Sequence, residues 1–154
     1  MRDVAAQAGV ALGTLYRHFQ SKDELLLAAL ARQMDTLRSR AEQRPTTGAT
    51  PSDRVADVLR RACRALERQP NVTAAMITAL TSADGAAPVK LDVHRAFSEI
   101  ISNALDGHTI DQIEERQRVL GHVWFSALVA WVGGTAATGQ MTDDLALAAR
   151  LLLP

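Results

Sequence analysis

The sequence predicts an all-α protein, and three observations carry that prediction. Apolar residues recur every three or four positions along almost the whole chain, while the strict alternation of a half-buried strand is nearly absent. Alanine and leucine dominate the apolar set and aromatic residues make up only 4% of the chain, so side chains that favour strands are scarce. Prolines and glycines gather at a few points between the periodic segments, beside hydroxyl residues suited to cap a helix. With 154 residues, 47% hydrophobic and 22% charged, the chain is long enough for one buried core and short for two ordinary domains.

The punctuation places the elements in order. A short helix from about Arg2 and a second over 12–19 flank Gly9. Ser21 and Glu24 then form an S-x-x-E capping box, which opens a long helix running to about Arg44 with Leu26, Leu30 and Leu37 turned inward. "RPTTGATP" cannot continue that helix and marks the boundary between two lobes, 1–44 and 45–154. Thr50 and Pro51 cap the next helix, whose face is Val55, Val58, Leu59, Ala62, Cys63 and Leu66 and which ends at Pro70. A shorter helix over 71–83 stops at "ADGAAP". Val89, Val93, Phe97, Ile100, Ile101 and Ala104 then trace a further face, which "DGH" terminates at Gly107. Thr109 and Gln112 form a second capping box for a helix whose middle, "VWFSALVAWV", is apolar on nearly every side and must be covered on several. Thr142 caps a last helix, "DDLALAARLLL".

Charge and composition narrow the functions. The formal net charge is zero, so nucleic-acid binding would rest on a local patch. Residues 1–22 supply one, with Arg2, Arg17 and Lys22 against Asp3 alone. A single cysteine, Cys63, excludes an intramolecular disulfide and suits a reducing, cytoplasmic setting; on the apolar stripe of its helix it reads as a structural thiol. The segment from Val119 to Thr142 lacks Asp, Glu, Lys and Arg, but Gly121, His122, Ser126 and Gly133 to Thr135 make it too polar for a membrane span. A buried interface helix is the expectation.

The first two dozen residues hold the most specific signal. Ala5, Gly9 and Leu15 fall at A-x3-G-x5-L, the spacing of a helix-turn-helix: a small residue where helices cross, a glycine for the left-handed turn, and a branched residue in the angle between them. Val4 and Val10 join Leu15 as its apolar contacts. Thr14, Tyr16, Arg17 and His18 then offer donors on the second helix, and Gly13 removes a side chain where a phosphate approaches. Lys22 stands in the first turn of the next helix, whose dipole also favours an anion.

The longer string "VAAQAGVALGTLYRHFQSKDELL" resembles the TetR family of bacterial transcriptional regulators almost position by position. The resemblance implies an N-terminal helix-turn-helix lobe followed by a helical domain for ligand binding and dimerisation. It implies that Leu12, Gly13, Thr14, Tyr16, Arg17 and His18 meet a double-stranded DNA operator in the major groove and that Lys22 touches phosphate, although Leu12 departs from the polar residue often found there. Arg17 is the candidate for reading guanine. The family also carries a helix before the one beginning near Arg2; without it Val4, Ala8, Leu15 and Phe19 lose cover, which points to a truncated or partly ordered form of a longer protein.

The same resemblance implies a homodimer through the last two helices and an effector whose binding shifts the long helix at 22–44. Met34, Leu66, Met76, Leu80, Phe97, Trp124 and Leu128 are the candidate lining of an apolar cavity for a lipid, steroid or acyl-CoA-like effector, while ordinary core packing is the plainer account of any one of them. "GATPSDR", "RQPNVTAAM", "VWFSALVAW" and "LALAARLLL" are similar to segments of actinobacterial repressors of steroid and lipid catabolism.

The sequence therefore reads as a ligand-responsive repressor of a palindromic operator, the alternative being a small-molecule-binding protein that no longer binds DNA. Neither reading needs a cofactor. Asp92, His94 and Glu99 are spaced for different helix faces and do not suit a metal, and His122 reads as a buried polar residue rather than a general base. No nucleophile elbow, phosphate-binding loop or dinucleotide fingerprint marks an enzyme. "EERQR" at 114–118 reads as a solvated face.

Overall fold

The computed structural model describes residues 1–83, 86–105, 107–137 and 139–153. Asp84 and Gly85 of the break expected at "ADGAAP", and Asp106 beside the stop expected at Gly107, lie outside them. Among the described residues all regular structure is helical: α1 (Arg2–Ala8), α2 (Leu12–His18), α3 (Lys22–Gln43), α4 (Pro51–Glu67), α5 (Pro70–Ser82), α6 (Ala87–Leu105), α7 (Ile113–Val132) and α8 (Gln140–Leu152).

α1 and α2 pack on each other, and α3 to α8 build the body. α3 lies along α6 and α5, α4 along α8 and α6, and α7 on α8 and α6. The inward face of α3 is Leu27, Leu30, Met34 and Leu37, a strict helical stripe; Leu26, expected there, is half-buried one position round the helix. Leu59, Ile101, Leu120, Met141 and Leu145 are sealed at the centre.

Several caps form as the sequence predicts. The Ser21 hydroxyl accepts from the Glu24 N–H at 3.0 Å, but the return bond of the expected box shifts by one residue, the Glu24 carboxylate accepting from the Gln20 N–H at 2.6 Å rather than from Ser21. At α4, Thr50 and Asp53 complete a reciprocal capping box, with Pro51 in the first turn. Other signals misled. Pro70 does not end α4 but opens α5, because a ring that lacks an N–H is as suited to a first turn as to a stop. Thr109 and Gln112 make no box: Gln112 is itself the N-cap of α7, in a left-handed conformation with no side-chain cap bond. Gly139 caps α8, and Thr142 sits inside that helix, its side chain against Cys63. Burial there pushes the Cys63 thiol up to about 11, so it stays protonated and inert at neutral pH.

The connector at 44–50 is tied down. Thr47 donates to the Asp57 carboxylate from its backbone N–H at 3.1 Å and from its hydroxyl at 3.0 Å, and Arg61 bridges Asp57 and the Pro45 carbonyl. Burial works to raise the Asp57 carboxyl, but the Thr47 and Arg61 donors outweigh it and hold the group below its ordinary value. The "EERQR" stretch is not wholly solvated either. Glu114, Glu115 and Arg118 are exposed, whereas Gln117 is buried and donates to Ser102 on α6 at 2.8 Å, and Arg116 reaches the Leu152 carbonyl at the end of α8.

Candidate nucleic-acid interface and internal cavity

The helix-turn-helix geometry follows from Gly9. Its φ of 68° is the left-handed region that glycine enters without penalty, and it lets the Gly9 and Val10 N–H groups bond back to Ala6 and Ala5 at 3.2 and 3.0 Å. That cap ends α1 sharply and turns the chain into α2, which ends at His18 with Phe19 extended beyond it. Ala5 and Leu15 are the two buried residues of the wedge. Val4 and Val10, expected to share its core, are both 41% exposed; Ala8 is exposed and Phe19 half-buried.

Everything else on α2 turns outward. Tyr16, Arg17 and His18 are exposed, as is Lys22 at the start of α3, and Leu12 and Thr14 are partly so. Arg17 donates to the Thr14 hydroxyl at 3.3 Å, one turn back, which steadies the guanidinium on that face. A Cβ at Gly13 would meet no atom within 4 Å, so no neighbour inside the protein accounts for that glycine. Asp23 and Glu24 share the first turn of α3 with Lys22, which weakens the dipole's pull on an anion and leaves the ammonium as the main attraction there.

In the body, a cavity of about 460 Å³ opens between α5, α6 and α7. Phe97 and Trp124 form its aromatic part, stacked with centroids 4.8 Å apart and planes 14° from parallel. Leu80 and Val93 extend the apolar wall; Gly121 leaves space that a side chain would take, since a Cβ there would lie 3.6 Å from the Phe97 ring. The Trp124 indole N–H is buried and has no hydrogen-bond partner among the described residues. Of the seven residues predicted to line a cavity, this one brings together Leu80, Phe97 and Trp124. Met34 borders a smaller crevice between α3 and α6, while Leu66, Met76 and Leu128 lie in the packed core away from the cavity. Helical periodicity identifies a buried face but not the gaps in it.

Sequence reasoning passed over Lys90 and His94 as cavity residues and read His122 as a buried residue bonded to a neighbouring helix or a ligand; all three line the cavity. His122 is exposed rather than buried as expected. The spacing of Lys90, Val93, His94 and Phe97, three and four apart, was the available signal: it puts two basic groups on the face that also carries the aromatic ring. The carboxylates weighed as metal ligands are engaged elsewhere, Asp92 with Arg95 at 3.4 Å and Glu99 with Arg38 of α3 at 3.0 Å. Among the described residues no helix is long and apolar enough to cross a membrane.

A two-helix wedge with its polar side bare, set on a helical body with a cavity, is the build of a helix-turn-helix transcription regulator, and comparison with known proteins agrees. Residues 1–29 match the model of the bacterial regulatory proteins of the tetR family, and residues 48–152 match that of the tetracyclin repressor-like C-terminal domain. The chain belongs to the TetR family, whose members are regulators of transcription and not enzymes.

Among its relatives are proteins described as the HTH-type transcriptional repressor KstR. Those of Mycolicibacterium smegmatis and Mycobacterium tuberculosis are each 36% identical over 99% of this chain, which covers 76% and 70% of their lengths. That of Rhodococcus jostii is 38% identical over 99% of this chain and 72% of its own. A crystal structure of a TetR transcriptional regulator from Rhodococcus sp. RHA1 superposes with a TM-score of 0.81 at 34% identity, over 99% of this chain and 82% of that one.

Proposed function

We propose that this protein is a ligand-responsive repressor that binds a palindromic operator as a homodimer in the cytoplasm. The observation that carries the reading is the outward polar surface of α2, where Tyr16, Arg17 and His18 stand exposed together over a small buried wedge. Leu12, Gly13, Thr14, Tyr16, Arg17 and His18 meet the major groove, and Lys22 meets phosphate. The relatives named as repressors support the sense of the regulation. On this reading residues 1–44 are the DNA-reading lobe with its connecting helix, and 45–154 the effector-binding and dimerisation domain.

Two further features support the rest. Val119, Phe125 and Val129 on α7 and Leu147 and Leu151 on α8 leave an apolar face uncovered in the single chain, Leu151 at 76% exposure. A second copy seated there pairs the two reading heads across a two-fold axis. The α5–α6–α7 cavity takes the effector, a lipid, steroid or acyl-CoA-like molecule, and Val93 borders both that cavity and the α3–α6 crevice. Displacement of α6 is thereby passed to α3 and so to α2.

The reading is tested by selecting duplexes from a random pool and titrating the winner. Tyr16→Ala and Lys22→Ala are each expected to weaken binding about fivefold to thirtyfold, the loss of about 1 to 2 kcal/mol of contact, with the melting temperature unchanged. Wild-type affinity in both variants would reject the contact assignments. Failure of the wild type to enrich any duplex would favour a small-molecule-binding protein without a DNA target.

A further inference from the structure

The stretch of α4 behind the connector carries more positive charge than the connector uses. Asp57, Arg60, Arg61 and Arg64 fall three and four residues apart, so they share one side of the helix. Arg44, at the end of α3, comes to the same place, and with Pro45 these residues line a crevice of about 440 Å³, within the usual size of a small-molecule site. None of the six borders the α5–α6–α7 cavity.

The fold engages only part of this set. Arg61 bridges Asp57 and the Pro45 carbonyl, and Asp57 also accepts twice from Thr47, so that carboxylate is taken up in holding the connector. Arg60 stands 3.6 Å from Asp57, beyond hydrogen-bond length. Arg44 and Arg64 are exposed and make no hydrogen bond or ion pair among the described residues. Glu67, the next acid along α4, turns a carboxylate oxygen into the protein, on the side of Cys63. Arg60 and Arg61 each lie one turn from Arg64, where like charges weaken a helix. An anion seated between them turns that repulsion into attraction.

The arrangement also specifies the anion. A guanidinium presents a planar fork of donors that matches the oxygens of a carboxylate or a phosphate. A single carboxylate engages one fork, as Asp57 does for Arg61, whereas the forks of Arg44, Arg60 and Arg64 around one concave surface call for several linked anionic groups. Arg60 and Arg64 are about 6 Å apart along the helix axis at the usual rise per residue, a spacing that a chain of two or three phosphates spans. A duplex held on α2 and Lys22 does not reach this face, because Lys22 and Arg44 stand at opposite ends of α3, about 30 Å apart.

We propose that the crevice is a binding site for a multivalent phosphate anion, its phosphates shared between Arg44 of α3 and Arg60 and Arg64 of α4. Inorganic triphosphate and the triphosphate of a nucleotide supply the same chemistry.

The test is calorimetric titration of the full chain, in about 0.15 M salt, with inorganic triphosphate, adenosine and guanosine triphosphates, orthophosphate and sulfate. Triphosphate should bind at a single site, at least about tenfold more tightly than orthophosphate or sulfate. Arg60→Gln/Arg64→Gln should lower its affinity about tenfold or more with the melting temperature unchanged, since Arg61 and the connector are left intact. Arg32→Gln/Arg118→Gln, which removes the same charge from exposed positions elsewhere, should stay within about twofold of the wild type. Tighter binding of a nucleotide than of triphosphate assigns the site to nucleotides, and equal or weaker binding assigns it to the inorganic chain; both support the crevice.

Equal affinity for triphosphate and sulfate in the wild type, or no binding at millimolar concentration, overturns the site. So does unchanged affinity in Arg60→Gln/Arg64→Gln, and so does an equal loss in the two double variants, which would make net charge alone responsible. Weaker duplex binding in Arg60→Gln/Arg64→Gln, without any binding of triphosphate to the wild type, would make the face a nucleic-acid contact and likewise overturns it.

Discussion

The reading head and the body divide the work of the chain unequally. α1 and α2 bury Ala5 and Leu15, and neither belongs to the contiguous apolar cluster that joins α3 to α8. The body seals Val55, Cys63, Ile101, Met141 and Ala149 completely, with several more side chains almost as well hidden. The contrast separates two duties. A helix of seven residues that turns Tyr16, Arg17 and His18 to solvent has little left with which to hold itself down, so its geometry depends on one filled angle and one glycine. The body has the reserve, and only three residues separate its α3 from the end of α2.

That division can be broken from either side. The largest effect should come from the body: Ile101→Ala, at a fully buried site, is expected to cost about 2 to 5 kcal/mol of global stability. Denaturant titration monitored by tryptophan fluorescence measures it, and a loss under about 1 kcal/mol would show that the centre of the core is looser than its burial implies. Leu15→Ala is next. It should loosen the wedge by about 2 kcal/mol and reduce operator binding more than tenfold, while the body's unfolding midpoint stays in place. Hydrogen exchange over residues 2–18 against residues 55–66 reads the difference directly. Matching losses of protection in the two regions would mean that head and body unfold as one unit.

A smaller effect sharpens how the connector is held. Asp57 has a folded pKa below its unfolded value, so its contribution is present above the unfolded value and lost as pH falls through the folded one. Asp57→Asn should therefore cost about 1 kcal/mol at pH 7 and nothing at a pH below the folded value, where both states are protonated. An equal deficit at both pH values would mean that shape, rather than charge, holds Thr47 and Arg61 in place.

How much the sequence discloses differs between the same two regions. The wedge was readable because local geometry makes it: A-x3-G-x5-L selects a tight turn within a dozen residues, and the short spacing leaves the chain few alternatives. The contact residues implied by the TetR resemblance lie within it or just beyond: Gly13, Tyr16, Arg17, His18 and Lys22 are exposed, and Leu12 and Thr14 partly so. The caps at Ser21 and Thr50 were readable for the same reason, since their partners lie three residues away. Pro70, Thr109 and Thr142 misled because each suits either side of a helix boundary, and neighbours distant in sequence decide which. Gln117 was taken for surface because its partner, Ser102, lies on another helix.

The order of helices, the amphipathic stripes and the reading wedge were thus settled by the sequence alone, through interactions that act within one or two turns. Where the body leaves a gap was not. Leu66, Met76 and Leu128 have the same helical spacing and chemistry as Leu80, Phe97 and Trp124, yet three fill the core and three border a cavity. Only the crossing of α5, α6 and α7 assigns them, because a void belongs to the space between elements and no single helix carries its outline. The basic groups beside the cavity have the same origin: Lys90 and His94 are ordinary surface residues of α6 until α7 brings Gly121 and Trp124 beside them.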